Sequence, residues 1–163
     1  MKDRQQESDP TPPGCFRLEE LQILQSFENQ PFADSNYYLW LNWPQKGSAP
    51  QRFLYALELV FDNAGSLLLS SGEDSEAIRL IEAEELVETA RRLQQLHGQA
   101  VIQRVPAGGQ PLWRGFIGKT LSGIRLSRNE AGLFLNDALL LDFGERRILV
   151  RLAEREGLLA GEY

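Results

Sequence analysis

Apolar residues in this chain recur at every second position in short runs closed by Gly, Asn or Pro turns, and they hold a long helical spacing in residues 82–97. Alternation of this kind puts successive side chains on opposite faces of a strand. Many short two-residue periods and a single long 3.6-residue period predict an α+β fold, with antiparallel strands and one main amphipathic helix packed on them. In that helix Leu86, Ala90, Leu93 and His97 share a face, Val87 and Leu96 widen it, and Gly98 ends it.

Along the chain, NYYLWLNW (residues 36–43) sets Tyr37, Leu39, Leu41 and Trp43 on one side and Tyr38, Trp40 and Asn42 on the other. Bulky residues on both sides predict a strand covered on both faces, at least in part. After the loop PQKGSAPQ, the run RFLYALELVF predicts a second strand with Phe53, Tyr55, Leu57, Leu59 and Phe61 on one face. DNAGS is a tight turn in which Asn63 or Gly65 takes positive φ, and LLLSS closes the hairpin. Beyond the helix, QAVIQRV predicts a strand and PAGGQP a flexible turn, followed by short strands at LSGIRLSR, GLFL, ALLLDF and RILVRL. Near the N-terminus FRLEELQILQSF fits either a helix bearing Leu18, Leu21 and Leu24 or a strand through Leu21 and Ile23.

Residues 1–14, rich in proline and nearly devoid of apolar side chains, predict a disordered tail; residues 15–163 then form one domain. That domain divides into two β-rich halves, 15–81 and 99–163, joined by the helix. LELVF-DNAGS-LLLSS echoes LLLDF-GERR-ILVRL weakly, so hairpins 57–71 and 139–152 are either a true repeat or two ordinary hairpins. Charge divides along similar lines, with sixteen acids against eight bases over residues 1–103 and five against nine over 104–155. Such asymmetry can help two halves, or two copies, attract one another.

A net charge of −6 opposes general nucleic-acid binding, which needs a basic field. Arg125, Arg128, Arg146, Arg147 and Arg151 lie in the basic stretch but are not interleaved with exposed aromatics. The single cysteine, Cys15, permits neither an internal disulfide nor a cysteine-based zinc site. No secretory signal and no membrane-length apolar run is present, so a soluble cytoplasmic protein without a membrane partner is expected.

Seven carboxylates fall between Glu73 and Glu88. They lack the alternating spacing of a calcium loop, no histidine accompanies them, and Glu82, Glu84 and Glu85 fall where a helix dipole favours anions. They mark a polar loop and a helix start. His97, the only histidine, stands in a last helical turn where it can cap carbonyls, and no G-x-S-x-G elbow supplies a nucleophile for it. GFIGKT at 115–120 lacks P-loop spacing. No catalytic residue, metal site or cofactor is therefore expected.

Two aromatic features remain. Tyr38 and Trp40, if turned outward, make an apolar patch of the kind used in interfaces. Trp113, with Arg114 beside it and Lys119 nearby, could form the mouth of a pocket for an anion. The expectation is a non-enzymatic protein-interaction or self-associating module, a homodimer where the partner is a second copy; the alternative is a binder of a small anionic ligand, or an unfamiliar enzyme, at Trp113 and Arg114.

Overall fold

The computed structural model describes residues 11–43, 47, 49–98 and 101–163, without the side chain of His97. Residues 1–10 of the expected tail, much of the loop after Trp43, the start of QAVIQRV and the capping role of His97 lie outside the described residues.

The described residues form helices α1 (Leu18–Ser26), α2 (Ala83–His97) and α3 (Pro111–Arg114). The strands are β1 (Phe32–Asn42), β2 (Gln51–Phe61), β3 (Gly65–Ser70), β4 (Arg79–Leu80), β5 (Val101–Pro106), β6 (Gly123–Arg125), β7 (Ala138–Asp142), β8 (Arg147–Ala153) and β9 (Gly157–Glu162). Strands from both halves of the chain belong to a single curled sheet of nine strands, a half-barrel. Its order is β4-β3-β2-β9-β8-β7-β6, with β1 pairing β2 and β5. The α+β class stands, but the sheet is mixed rather than purely antiparallel. β9 meets β2 in parallel at Leu54 and Gly157, beside the stretch where β3 pairs antiparallel with β2.

A bulge sets the faces of β2. Tyr38 pairs with Ala56 and Leu39 with Leu54, so Tyr55 is the extra residue. The slip reverses the alternation, as a one-residue insertion must. Leu54, Leu57, Leu59 and Phe61 face the main core, whereas Phe53, Tyr55 and Ala56 belong to a second cluster on the other side. The single face expected from Phe53 to Phe61 is thus split in two. β1 is covered on both sides: Tyr37 packs on the main core, Tyr38 and Trp40 on the second cluster.

The two echoing hairpins do the same work. Leu57, Leu59, Phe61, Leu67 and Leu69 line the main core, and so do Leu139, Leu141, Phe143, Ile148 and Val150. Cross-strand partners correspond, Leu57 with Leu69 and Leu139 with Val150. Phe32 links the hairpins, its ring 5.7 Å from Phe61 and 5.8 Å from Phe143. Of the expected C-terminal strands, GLFL makes only isolated bridges, while β9 comes from a segment with no expected strand.

FRLEELQILQSF folds as helix α1, with Leu24 buried and Leu18 left exposed. Its anchor is polar. Glu20 is buried, its Oε1 accepting from Arg79 Nη1 at 2.9 Å and from the Arg17 N–H at 2.9 Å, while its Oε2 accepts from the Leu80 N–H at 3.2 Å. Arg79 also donates to the carbonyls of Cys15 and Pro13. Glu20→Ala strands these donors. Because Arg79 keeps some contact with water, the expected loss is about 2–3 kcal/mol, read from urea unfolding; a loss near zero would remove Glu20 as the anchor.

Helix α2 lies on the outer face of the sheet. Leu86 and Leu93 are buried, as the stripe predicts, but Val87 and Leu96 are 60% and 66% exposed. At 3.6 residues per turn these two sit about 90° to either side of the stripe centre. No neighbouring helix among those described flanks α2 to cover them. Gly98 ends the helix with a φ of 68°.

Candidate functional site

The outer cluster is built from the β1–β2 hairpin upward. Across it Trp40 pairs with Phe53, Leu41 with Arg52 and Asn42 with Gln51. Alternation sends Trp40 and Phe53 to the same, outer side, where their rings meet edge to face, centroids 5.5 Å apart and planes at 74°. Both are half-buried. Further along the same face, Leu86 of α2 packs with Tyr55, Ala56 and Leu68, so the helix covers the middle of the hairpin rather than its open end.

At that open end Trp40, Asn42, Gln51, Arg52 and Phe53 line a cleft of about 470 Å³, closed on one side by Arg155 from the β8–β9 turn. Two features hold Arg155 there. The Leu54 N–H donates to the Glu156 carbonyl at 2.8 Å, and the Gly157 N–H donates to Ser75 Oγ at 3.0 Å. Gly157 itself has a φ of 81°, and a Cβ on it would stand 2.1 Å from the Leu54 carbonyl oxygen. Only glycine lets the two backbones approach so closely. Neither Arg52 nor Arg155 forms an ion pair with a carboxylate among the described residues.

Tyr38 stands on the same face but is tied down. Its hydroxyl donates to Glu58 Oε1 at 3.4 Å, and the Asn36 amide donates to the same oxygen at 2.9 Å. Burial pushes the Tyr38 phenol up, the Glu58 carboxylate adds to that, and Arg104 opposes it. A phenol held in such a polar cluster is less an apolar patch than a support for the strand carrying Trp40.

The second expected constellation is not brought together. Trp113, on α3, has no exposed surface. Its Nε1–H donates to the Tyr37 hydroxyl at 2.7 Å, and its ring lies 5.7 Å from Phe32. Burial raises the Tyr37 phenol above its ordinary value, against the lowering effect of that hydrogen bond. Trp113 is core, turned away from solvent by the clamped turn before it: the Ala107 and Gly108 N–H groups donate to the Ser35 carbonyl, so PAGGQP is not a loose loop. Arg114 is exposed where Trp113 is buried, and Lys119 lines a separate depression of about 300 Å³ with Phe143 and Arg146. There the Arg146 guanidinium lies 4.5 Å over the Phe116 ring and is already engaged, donating to Glu162 at 2.7 and 2.8 Å.

Part of the acidic stretch is engaged by hydrogen bonds and ion pairs. The Glu82 N–H donates to Glu85 at the start of α2, Glu88 pairs with Arg91 at 2.9 Å, and Glu73 pairs with Arg92. Among the described residues no group of three or more His, Cys, Asp or Glu side chains could hold a metal ion, and no helix is long and apolar enough to cross a membrane. Asp142 is the buried acid with a shifted carboxyl, held below its ordinary value first by the Gly144 N–H and then by Arg125.

Sequence reasoning reached Trp40 but missed Arg52, Phe53 and Arg155. Hairpin pairing across the loop could have placed Arg52 and Phe53 beside it. Nothing local signals Arg155, which arrives about a hundred residues later through the β2–β9 contact. No family model, no curated protein and no solved structure matches this chain, so its function has to be read from its own geometry and chemistry.

Proposed function

We propose that the protein is a non-catalytic binding module that engages another protein, or a second copy of itself, through the outer face of the β1–β2 hairpin. The observation that supports this is the partly exposed Trp40–Phe53 pair, in a cleft that Arg52 and Arg155 also line, at the end of the hairpin beyond α2. Trp and Arg are the side chains most often found at the energetic centres of interfaces. A second copy is favoured by β5, which pairs only with β1 among the described residues and so presents an unpaired edge next to this face. The chain's net charge of −6 speaks against nucleic acid as the partner, and a lone buried cysteine suits the reducing cytoplasm.

Trp40→Ala tests the reading. Its indole is partly exposed at the margin of the outer cluster and outside the main core, so the fold should survive, while association should weaken by about 2 kcal/mol, some thirtyfold. Light scattering at two protein concentrations reads the change as a dimer falling to monomer on dilution. A variant that unfolds would make Trp40 a core residue and end the proposal. A wild-type chain that is monomeric throughout would remove the second copy as partner.

A further inference from the structure

We propose that the cleft between Trp40, Phe53, Arg52 and Arg155 is a ligand site for a small molecule joining a planar ring to a carboxylate or phosphate. The inference rests on the outer hairpin face being the recognition surface, and adds a small ligand to it. Four observations converge. The cleft's volume of about 470 Å³ is that of a small-molecule site. Its wall is an edge-to-face aromatic pair, which leaves ring surface for a flat partner to stack on. Arg52 and Arg155, from two different parts of the chain, both line it, neither with a carboxylate partner among the described residues, and a guanidinium can bind carboxylate or phosphate in a two-pronged manner. Asn42 and Gln51, cross-strand partners, add amide donors and acceptors suited to the polar edge of a ring.

Position matters as much as composition. Arg155 has a φ of 66°, at the tip of a turn whose following residue, Gly157, is pressed against β2. The backbone that carries this cation is therefore fixed before any ligand arrives, which lowers the ordering cost of binding. By contrast two other cationic hollows near an aromatic ring have their arginines already engaged, Arg146 by Glu162 beside Lys119 and Arg125 by Asp142 beside Tyr163.

The test uses the full chain and four probes: adenosine monophosphate and benzoate, which join ring and anion, and adenosine and inorganic phosphate, which separate them. Amide and indole NMR shifts locate binding, and calorimetry measures it. Expected is a dissociation constant of about 1 mM or tighter for at least one joined probe, with shifts at the Trp40 indole and the Arg155 amide and none at Trp113. The separated probes should bind at least about tenfold more weakly, and Arg52→Gln or Arg155→Gln should each cost about tenfold or more, since a charge-assisted hydrogen bond is lost. Binding of adenosine monophosphate but not benzoate, or the reverse, assigns the anion, and inorganic phosphate binding as tightly as either joined probe overturns the proposal. The proposal fails if neither joined probe shifts Trp40 at ten times that concentration, or if binding survives both substitutions together. Should the probes fail while Trp40→Ala still changes the molar mass, the face is a protein interface without a ligand; should they bind while Trp40→Ala leaves the mass unchanged, the association reading falls and the ligand site stands.

Discussion

Trp113→Ala should cost the protein about 4 kcal/mol, the largest loss expected from any single truncation, and chemical denaturation should read it as an early midpoint. The indole has no contact with solvent and sits where both halves of the sheet meet, against Phe32, which itself touches Phe61 and Phe143. Removing it opens a cavity in the main core and deprives the buried Tyr37 hydroxyl of its donor. The conservative Trp113→Phe refills most of the volume and isolates the hydrogen bond, with an expected cost of about 1–2 kcal/mol. A domain of ordinary stability, about 5–15 kcal/mol, survives the second change and barely the first. If Trp113→Ala cost less than about 1.5 kcal/mol, the indole would not be packed as described, and a pocket at Arg114 would return to consideration.

How far the sequence spoke depended on the range of the interaction. Helix α2 was legible because fifteen residues of one period and a terminal glycine act locally, and it spans Ala83–His97 against an expected 82–97. The DNAGS turn was legible for the same reason: Asn63 and Gly65 both take positive φ. The bulge at Tyr55 was not, since nothing in RFLYALELVF marks the residue that β1 skips, and with it went the true facing of Phe53. The direction of Trp113 was also hidden. Its neighbours Gly-Gly-Gln-Pro read as an open turn, yet the Ser35 carbonyl, some seventy residues earlier, holds that turn shut. Of the candidate site, Trp40 came from a local pattern, and Arg155 needed the tertiary fold.

Gly157→Ala should be the second most damaging single change, at about 3 kcal/mol, despite adding only one methyl group. At a φ of 81° an L-residue costs about 1–2 kcal/mol, and a Cβ placed 2.1 Å from the Leu54 carbonyl oxygen forces β9 away from β2 at further cost. The contact broken is the parallel pair that closes the half-barrel, where Leu54 donates to Glu156. Its loss should reach the site as well: Arg155 would leave the Trp40–Phe53 cleft, and any ligand bound there should weaken together with the fold's stability. Two comparisons separate these effects. Arg155→Gln should weaken the ligand and leave the unfolding midpoint nearly unchanged, because Arg155 is exposed and makes no ion pair among the described residues. Gly157→Ala should move both. A Gly157→Ala chain with wild-type stability would mean that β9 can shift freely along β2, and a cation on so loose a turn could not define a site.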